Sequence, residues 1–109
     1  MSADIPESDW RRFKEVYAKA EERYCARILE EVSAIVNRSA EESAQARYLK
    51  VYKLVEDRDK QMAHAFGDFR RSTAVMQLGI MRRMKLLTDQ ELDLFSEQTR
   101  TRIKGIASL

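Results

Sequence analysis

Only three glycines and one proline occur in 109 residues, and that shortage constrains the fold more than any other feature. Strand-to-strand corners and tight turns draw on those two residues, Gly for positive φ and Pro for a preset φ. A chain nearly without them has few places to reverse direction, so long helices with few connections are expected and an all-β arrangement is excluded. The charged fraction of 35% points the same way, because solvated faces of long helices raise it above the roughly 25% of an average domain. The length suits one domain with one core, residues 1–109, with residues 1–7 expected to form a flexible lead-in.

Apolar periodicity divides the chain. Trp10, Phe13, Tyr17, Ala20, Tyr24, Ile28, Val32 and Ile35 recur every three or four residues, which predicts a first long helix with one face inward. Asp4 is its expected N-cap, with Pro6 in the first turn. Asn37-Arg38-Ser39 is its expected stop, and Ser39 with Glu42 reads as a capping box opening a second helix at Ala40. So short a connection makes the two helices antiparallel neighbours. Folding about residue 38 then places opposite one another residues whose numbers add to about 77. Tyr24 faces Tyr52 in a tyrosine layer, Ile28 faces Tyr48 or Leu49, and Trp10 and Phe13 meet Phe66 and Phe69 in an aromatic plug. Gly67-Asp68 can break the second helix and start a third, although the apolar register runs on through Phe69, Thr73, Met76, Ile80 and Met84, so a helix continuing past Gly67 stays open. Thr88-Asp89-Gln90-Glu91 is a second capping box, with Ser96-Glu97 able to start another short piece. The fold class is therefore all-α: an antiparallel hairpin of two long helices plus one or two shorter C-terminal helices.

Candidate chemistry is sparse. The lone His64 shares a helical stripe with Asp57, Gln61 and Asp68, but the paired Glu-x-x-His motifs of di-metal bundles are missing, so a solvated polar face is the expectation and no metal is assigned. The acidic doublets Glu21-Glu22, Glu30-Glu31, Glu41-Glu42 and Glu56-Asp57 do not form facing pairs, since neighbours on a helix point about 100° apart. Cys25, the only cysteine, flanks the core stripe and reads as a small buried hydrophobe. The glycines stand alone, so no phosphate cradle is present. Arg58 falls on the inner stripe and must snorkel outward, pair with an acid such as Glu15 or Glu21, or face a partner. The chain is read as non-enzymatic, with no catalytic residue and no cofactor.

Residues 72–84 carry the strongest functional hint. Apolar side chains cover nearly the whole circumference there, so this helix must be enclosed on all sides. It is either the central helix of the bundle or one side is covered by a second copy or another protein. The candidate interface comprises Ser72, Val75, Met76, Leu78, Gly79 and Met81, with Ser72 and Gly79 leaving room for a close-approaching backbone. The favoured expectation is a protein–protein interaction module, self-associating or partner-docking through this helix. The alternative is a small nucleic-acid-associated factor using a basic face of Arg71, Arg82 and Lys85 flanked by Arg70 and Arg83. A net charge of +2, split as −1 over residues 1–65 and +3 over 66–109, lends that alternative little weight. The longest uncharged run, Ser72 to Met81, is about half the ~20 residues of a membrane helix. No membrane partner is expected, and without a visible signal peptide the expected setting is cytoplasmic.

Overall fold

A computed structural model describes residues 5–109. Five α-helices follow in order: α1 (Glu7–Val36), α2 (Ala44–Phe66), α3 (Ala74–Arg83), α4 (Asp89–Leu92) and α5 (Glu97–Ala107), with a 3₁₀ turn at Arg71–Thr73 before α3. No strand occurs among the described residues. The all-α hairpin with shorter C-terminal helices is as expected; of the alternatives left open, the second helix breaks at Gly67 and the C-terminal helix divides at Ser96. Asp4, the expected cap of α1, lies outside the described residues; the N-cap position is Pro6. The loose lead-in expected through residue 7 is packed from Ile5 onward, because Ile5 is buried and its carbonyl accepts from Arg71 Nε at 2.8 Å.

The hairpin turn differs from expectation in a way that sets the whole register. α2 opens at Ala44, capped by Ser43, whose hydroxyl accepts from Ala46 N. Glu42 is taken up by ion pairs with Arg38 and Lys50 rather than by a capping box with Ser39, and Arg47 Nη1 donates to the Val36 carbonyl at 2.7 Å. The longer connection shifts the pairing, so that facing residues have numbers adding to about 83, as Tyr17 with Phe66 and Val36 with Arg47 show. Tyr24 therefore meets Arg58, Gln61 and Phe66 instead of Tyr52. The expected tyrosine layer does not form, and Tyr48 and Tyr52 turn outward. An aromatic plug does form, with centroid separations of 4.9–5.7 Å among Trp10, Phe13, Tyr17, Phe66 and Phe69, but Trp10 and Phe13 meet Phe69 and not Phe66, while Phe66 packs edge-on against Tyr17. Each such pair adds roughly 0.5–1.5 kcal/mol beyond its buried area.

The short helices pack on the base of the hairpin. α3 sits between α1, α2 and α5, and Val75, Leu78, Gly79 and Met81 are buried by the chain's own helices. Gly79 is where α5 comes closest: a Cβ there would fall inside contact distance of the Ile106 side chain. Two polar joints lock this head to α1. Buried Asp9 accepts from Ser96 N (2.9 Å), Ser96 Oγ (2.7 Å) and Thr99 Oγ1 (2.6 Å), tying the start of α1 to the start of α5. Arg23 donates to both oxygens of Glu91 (2.6 and 2.8 Å) and to the Leu86 carbonyl, while Glu91 closes the capping box with Thr88. Burial would raise the Asp9 pKa, but the hydrogen bonds from Thr99 and Ser96 outweigh it and hold the carboxyl below its usual value. The Arg23 bond does the same for Glu91.

Candidate interaction surface

A helix rises 1.5 Å per residue, so α1 is about 45 Å long while α3 and α5 are each about 15 Å. The head can therefore cover only one end of the hairpin. Beyond Tyr24 no residue of α1 is buried, and in α2 only Ala65 is. The rest is a bare two-helix arm, which gives the molecule extents of 57 × 24 × 24 Å and a radius of gyration of 16.9 Å. A compact domain near this length would have about 13 Å.

The arm exposes a continuous apolar face. Leu29 and Tyr48 are each 67% exposed, Tyr52 58%, Val36 48% and Val55 40%, while Leu49 is exposed one step further round α2. On α1 the inward positions are Tyr24, Ile28, Glu31 and Ile35, and the residue after each is Cys25, Leu29, Val32 and Val36. On α2 the inward positions are Arg47, Val51, Leu54 and Arg58, followed by Tyr48, Tyr52, Val55 and Asp59. One residue turns a helix by about 100° in a fixed sense. Because the two helices run antiparallel, that step turns both sets to the same side of the hairpin. The step in the other direction reaches Arg23 and Arg27, which donate to the Leu86, Met84 and Lys85 carbonyls of the head. The apolar face thus looks away from the head. A shallow hollow of ≈ 240 Å³ at Tyr52, Val55, Glu56 and Asp59 marks its inner end.

Residue areas of roughly 150–220 Å², scaled by the exposures of Leu29, Val36, Tyr48, Tyr52 and Val55, amount to on the order of 500 Å². That is toward the upper end of the ~300–600 Å² of the largest patch on an ordinary monomer. Sequence reasoning missed this surface by placing Tyr48 and Tyr52 inside the hairpin. The usable signal was length, since two long helices followed by three short ones leave an uncovered end.

The surfaces drawn from sequence are placed differently. Of the candidate interface, Val75, Leu78, Gly79 and Met81 face the core, and only Ser72 and Met76 are exposed. α3 is the central helix, and the face that carries Val75, Leu78, Gly79 and Met81 is covered by the chain's own helices. The basic face does not assemble either. Arg71 is spent on Ile5 and Glu7, Arg82 on the Leu87 carbonyl and Asp89, and Arg70 pairs with Asp68. Arg83 donates to the Ile106 carbonyl and Lys85 is exposed, with the positive φ of 62° that ends α3. Arg58 pairs with Glu31 at 3.0 Å rather than with Glu15 or Glu21. His64 is exposed, Cys25 is half-buried, and no cluster able to hold a metal occurs among the described residues. No helix of the described residues is long and apolar enough to cross a membrane.

Two solved structures share this architecture. The chain is similar to the Fluorescence Recovery Protein from Synechocystis sp PCC 6803, with a TM-score of 0.79 over 95% of this chain and 98% of that one, at 16% identity. A variant of that protein with one arginine changed to lysine gives the same figures. The likeness runs the full length of both chains and shows a common fold. No protein-family model and no curated protein matches the sequence.

Proposed function

We propose that this chain is a non-enzymatic interaction module that pairs with a second copy of itself through the apolar face of its arm. The observation that carries the reading is that face: Leu29, Val36, Tyr48, Tyr52 and Val55 on one side of a two-helix hairpin that cannot enclose them. Two copies would bury on the order of 1,000 Å², the threshold of a specific interface. A pair of such hairpins is a four-helix bundle, the usual way two amphipathic hairpins complete a core. The charges favour antiparallel arms. Glu56 and Asp59 border the inner end of the face, and parallel arms would set these carboxylates against their counterparts. Antiparallel arms keep the two sets of carboxylates at opposite ends of the pair instead.

The native mass tests the proposal. Wild type should sediment near twice 12.8 kDa at micromolar concentration, and the double change Leu29→Glu with Tyr52→Glu should return it to the monomer with its helical content nearly unchanged. A monomeric wild type, or a dimer indifferent to the double change, removes the arm as the interface.

The full-length fold likeness carries a second reading, in which the assembled module acts on a fluorescent partner, as the name of the fold neighbour suggests for that protein. A changed emission of such a partner on adding this chain supports it, and unchanged emission at saturating chain concentration ends it.

A further inference from the structure

Where the arm meets the head, on the side opposite the apolar face, a cleft of ≈ 350 Å³ opens between α2 and α3. Gln61 and His64 form one wall, and Ile80, Arg83 and Met84 the other. Its volume lies in the range of small ligand pockets, about 300–1,000 Å³. Ile80 and Met84 are half-buried hydrophobes that pack on the core from one side and line the cleft from the other.

The charge around the cleft is one-sided. Arg83 bonds the neutral Ile106 carbonyl, and Arg27 bonds the neutral Met84 and Lys85 carbonyls. Hydrogen bonds to these helix-terminal carbonyls hold each guanidinium and offset part of its charge, but no carboxylate neutralises it. None of the ion pairs among the described residues involves Arg27, Arg83 or Lys85. Three cations, two of them held in position, therefore gather around the C-terminal end of α3, beside an opening with an apolar floor. On α2, Asp57 shares the stripe of Gln61 and His64 one turn away, Asp59 falls on the side of the arm face, and Asp68 just beyond the helix is already paired with Arg70.

From this arrangement we infer that the cleft is a docking site for an acidic protein segment carrying a single large apolar side chain. The apolar side chain fills the space between Ile80 and Met84, and flanking carboxylates pair with Arg83, Lys85 and Arg27. Arg83 is the best placed of the three, since it lines the cleft itself and a guanidinium can hold a carboxylate through two parallel bonds. This surface is separate from the arm face, so the site stands whether the chain is a monomer or a dimer.

The test is an amide chemical-shift titration of the full-length protein with blocked pentapeptides: Asp-Glu-Leu-Glu-Asp, its Gly-centred analogue, and Lys-Arg-Leu-Arg-Lys. The acidic leucine peptide should shift His64, Ile80, Arg83 and Met84 with a Kd on the order of 1 mM or tighter. Raising salt from about 50 to about 300 mM should weaken it about fivefold. Arg83→Glu and, separately, Lys85→Glu should weaken it about tenfold, and the Gly-centred and basic peptides should shift these residues little. The proposal is overturned if the acidic leucine peptide leaves the four residues unmoved at ~5 mM, if its shifts centre on Leu29, Tyr48 and Tyr52, or if the basic peptide binds equally. It is also overturned if an oligo-dT strand moves the cleft residues while the peptide does not. Both charge variants sit at exposed positions, and unchanged spectra elsewhere in the protein would show that the fold is intact.

Discussion

Replacing Asp9 with asparagine isolates the joint between the start of α1 and the start of α5. The carboxylate is buried and accepts three hydrogen bonds, from Ser96 N, Ser96 Oγ and Thr99 Oγ1. Hydrogen bonds to a charged group contribute about 1.5–3 kcal/mol each and neutral ones about 0.5–1.5. Asparagine keeps one oxygen for Ser96 N and turns an NH₂ toward two hydroxyls that can rotate to accept. It therefore removes the charge assistance without emptying the site, and a loss of about 2 kcal/mol is expected at pH 7. That is a large share of the ~5–15 kcal/mol of a typical domain. Alanine, which leaves buried Thr99 without this partner, should cost about 3–4 kcal/mol. The pH dependence supplies the sharper test. Asp9 titrates below its usual value in the folded protein, so its stabilisation is complete above the unfolded pKa of about 3.9 and disappears as pH falls through the folded value. The asparagine variant has no such loss. Glu91 is shifted in the same direction but is present in both proteins, so it cancels in the difference. Urea unfolding followed by far-UV circular dichroism, at one protein concentration and at several pH values from about 7 to about 3, measures the gap directly. The gap should be widest at neutral pH and narrow in acid. A gap under about 0.5 kcal/mol at pH 7, or one that stays constant into acid, refutes a charged, hydrogen-bonded Asp9.

Other outcomes follow from neighbouring contacts. Gly79→Ala should push α5 off α3 through Ile106 and destabilise by about 1–3 kcal/mol, seen as faster proteolysis within residues 97–107. Arg23→Ala removes the two-pronged bond to Glu91 and the bond to Leu86. Since Arg23 is more than a third exposed, solvent screening limits the cost to about 1–2 kcal/mol in denaturant melts. Tyr52 lies near the centre of the arm face, so in an antiparallel pair Tyr52→Cys should oxidise to a disulfide-linked dimer faster than Val36→Cys at the arm's end. The reverse order would indicate parallel arms.

The helices themselves were largely legible in the sequence. The stripe from Trp10 to Ile35 marked α1, Gly67-Asp68 marked the break, and Thr88 with Glu91 and Ser96 with Thr99 capped the last two helices as their residue types require. The hairpin register was not legible, because local chemistry favours the wrong serine: Ser39 has Glu42 at the capping-box position, whereas Ser43 has Ala46 there. The choice between them rests on partners brought by the fold: Lys50 and Arg38 for Glu42, and the Val36 carbonyl for Arg47. Choosing Ser43 shifts the register and turns Tyr48 and Tyr52 outward, so the arm face depends on that one choice. The all-round apolarity of α3 pointed to enclosure on all sides, which holds for Val75, Leu78, Gly79 and Met81 but not for Met76, and the cover rests on the Gly79–Ile106 contact with α5, a pairing that periodicity does not encode. Asp9 resembled an ordinary acid in the first turn of a helix. Its role becomes visible only when Ser96 and Thr99 arrive from the far end of the chain.

The length mismatch between hairpin and head also divides a single helix into two dynamic regimes. From Phe13 to Tyr24, α1 is anchored by buried side chains and by Arg23, whereas from Leu29 to Val36 it has only one partner helix and open water on the remaining sides. Amide protons of the first stretch exchange with solvent only when the whole domain opens, while those of the second escape through local fraying at a small fraction of that free energy. Pairing of two arms would slow the second stretch toward the first. Protection at residues 29–36 is thus a gauge of assembly built into the backbone, and loss of the partner would return the tip to a state open to proteases.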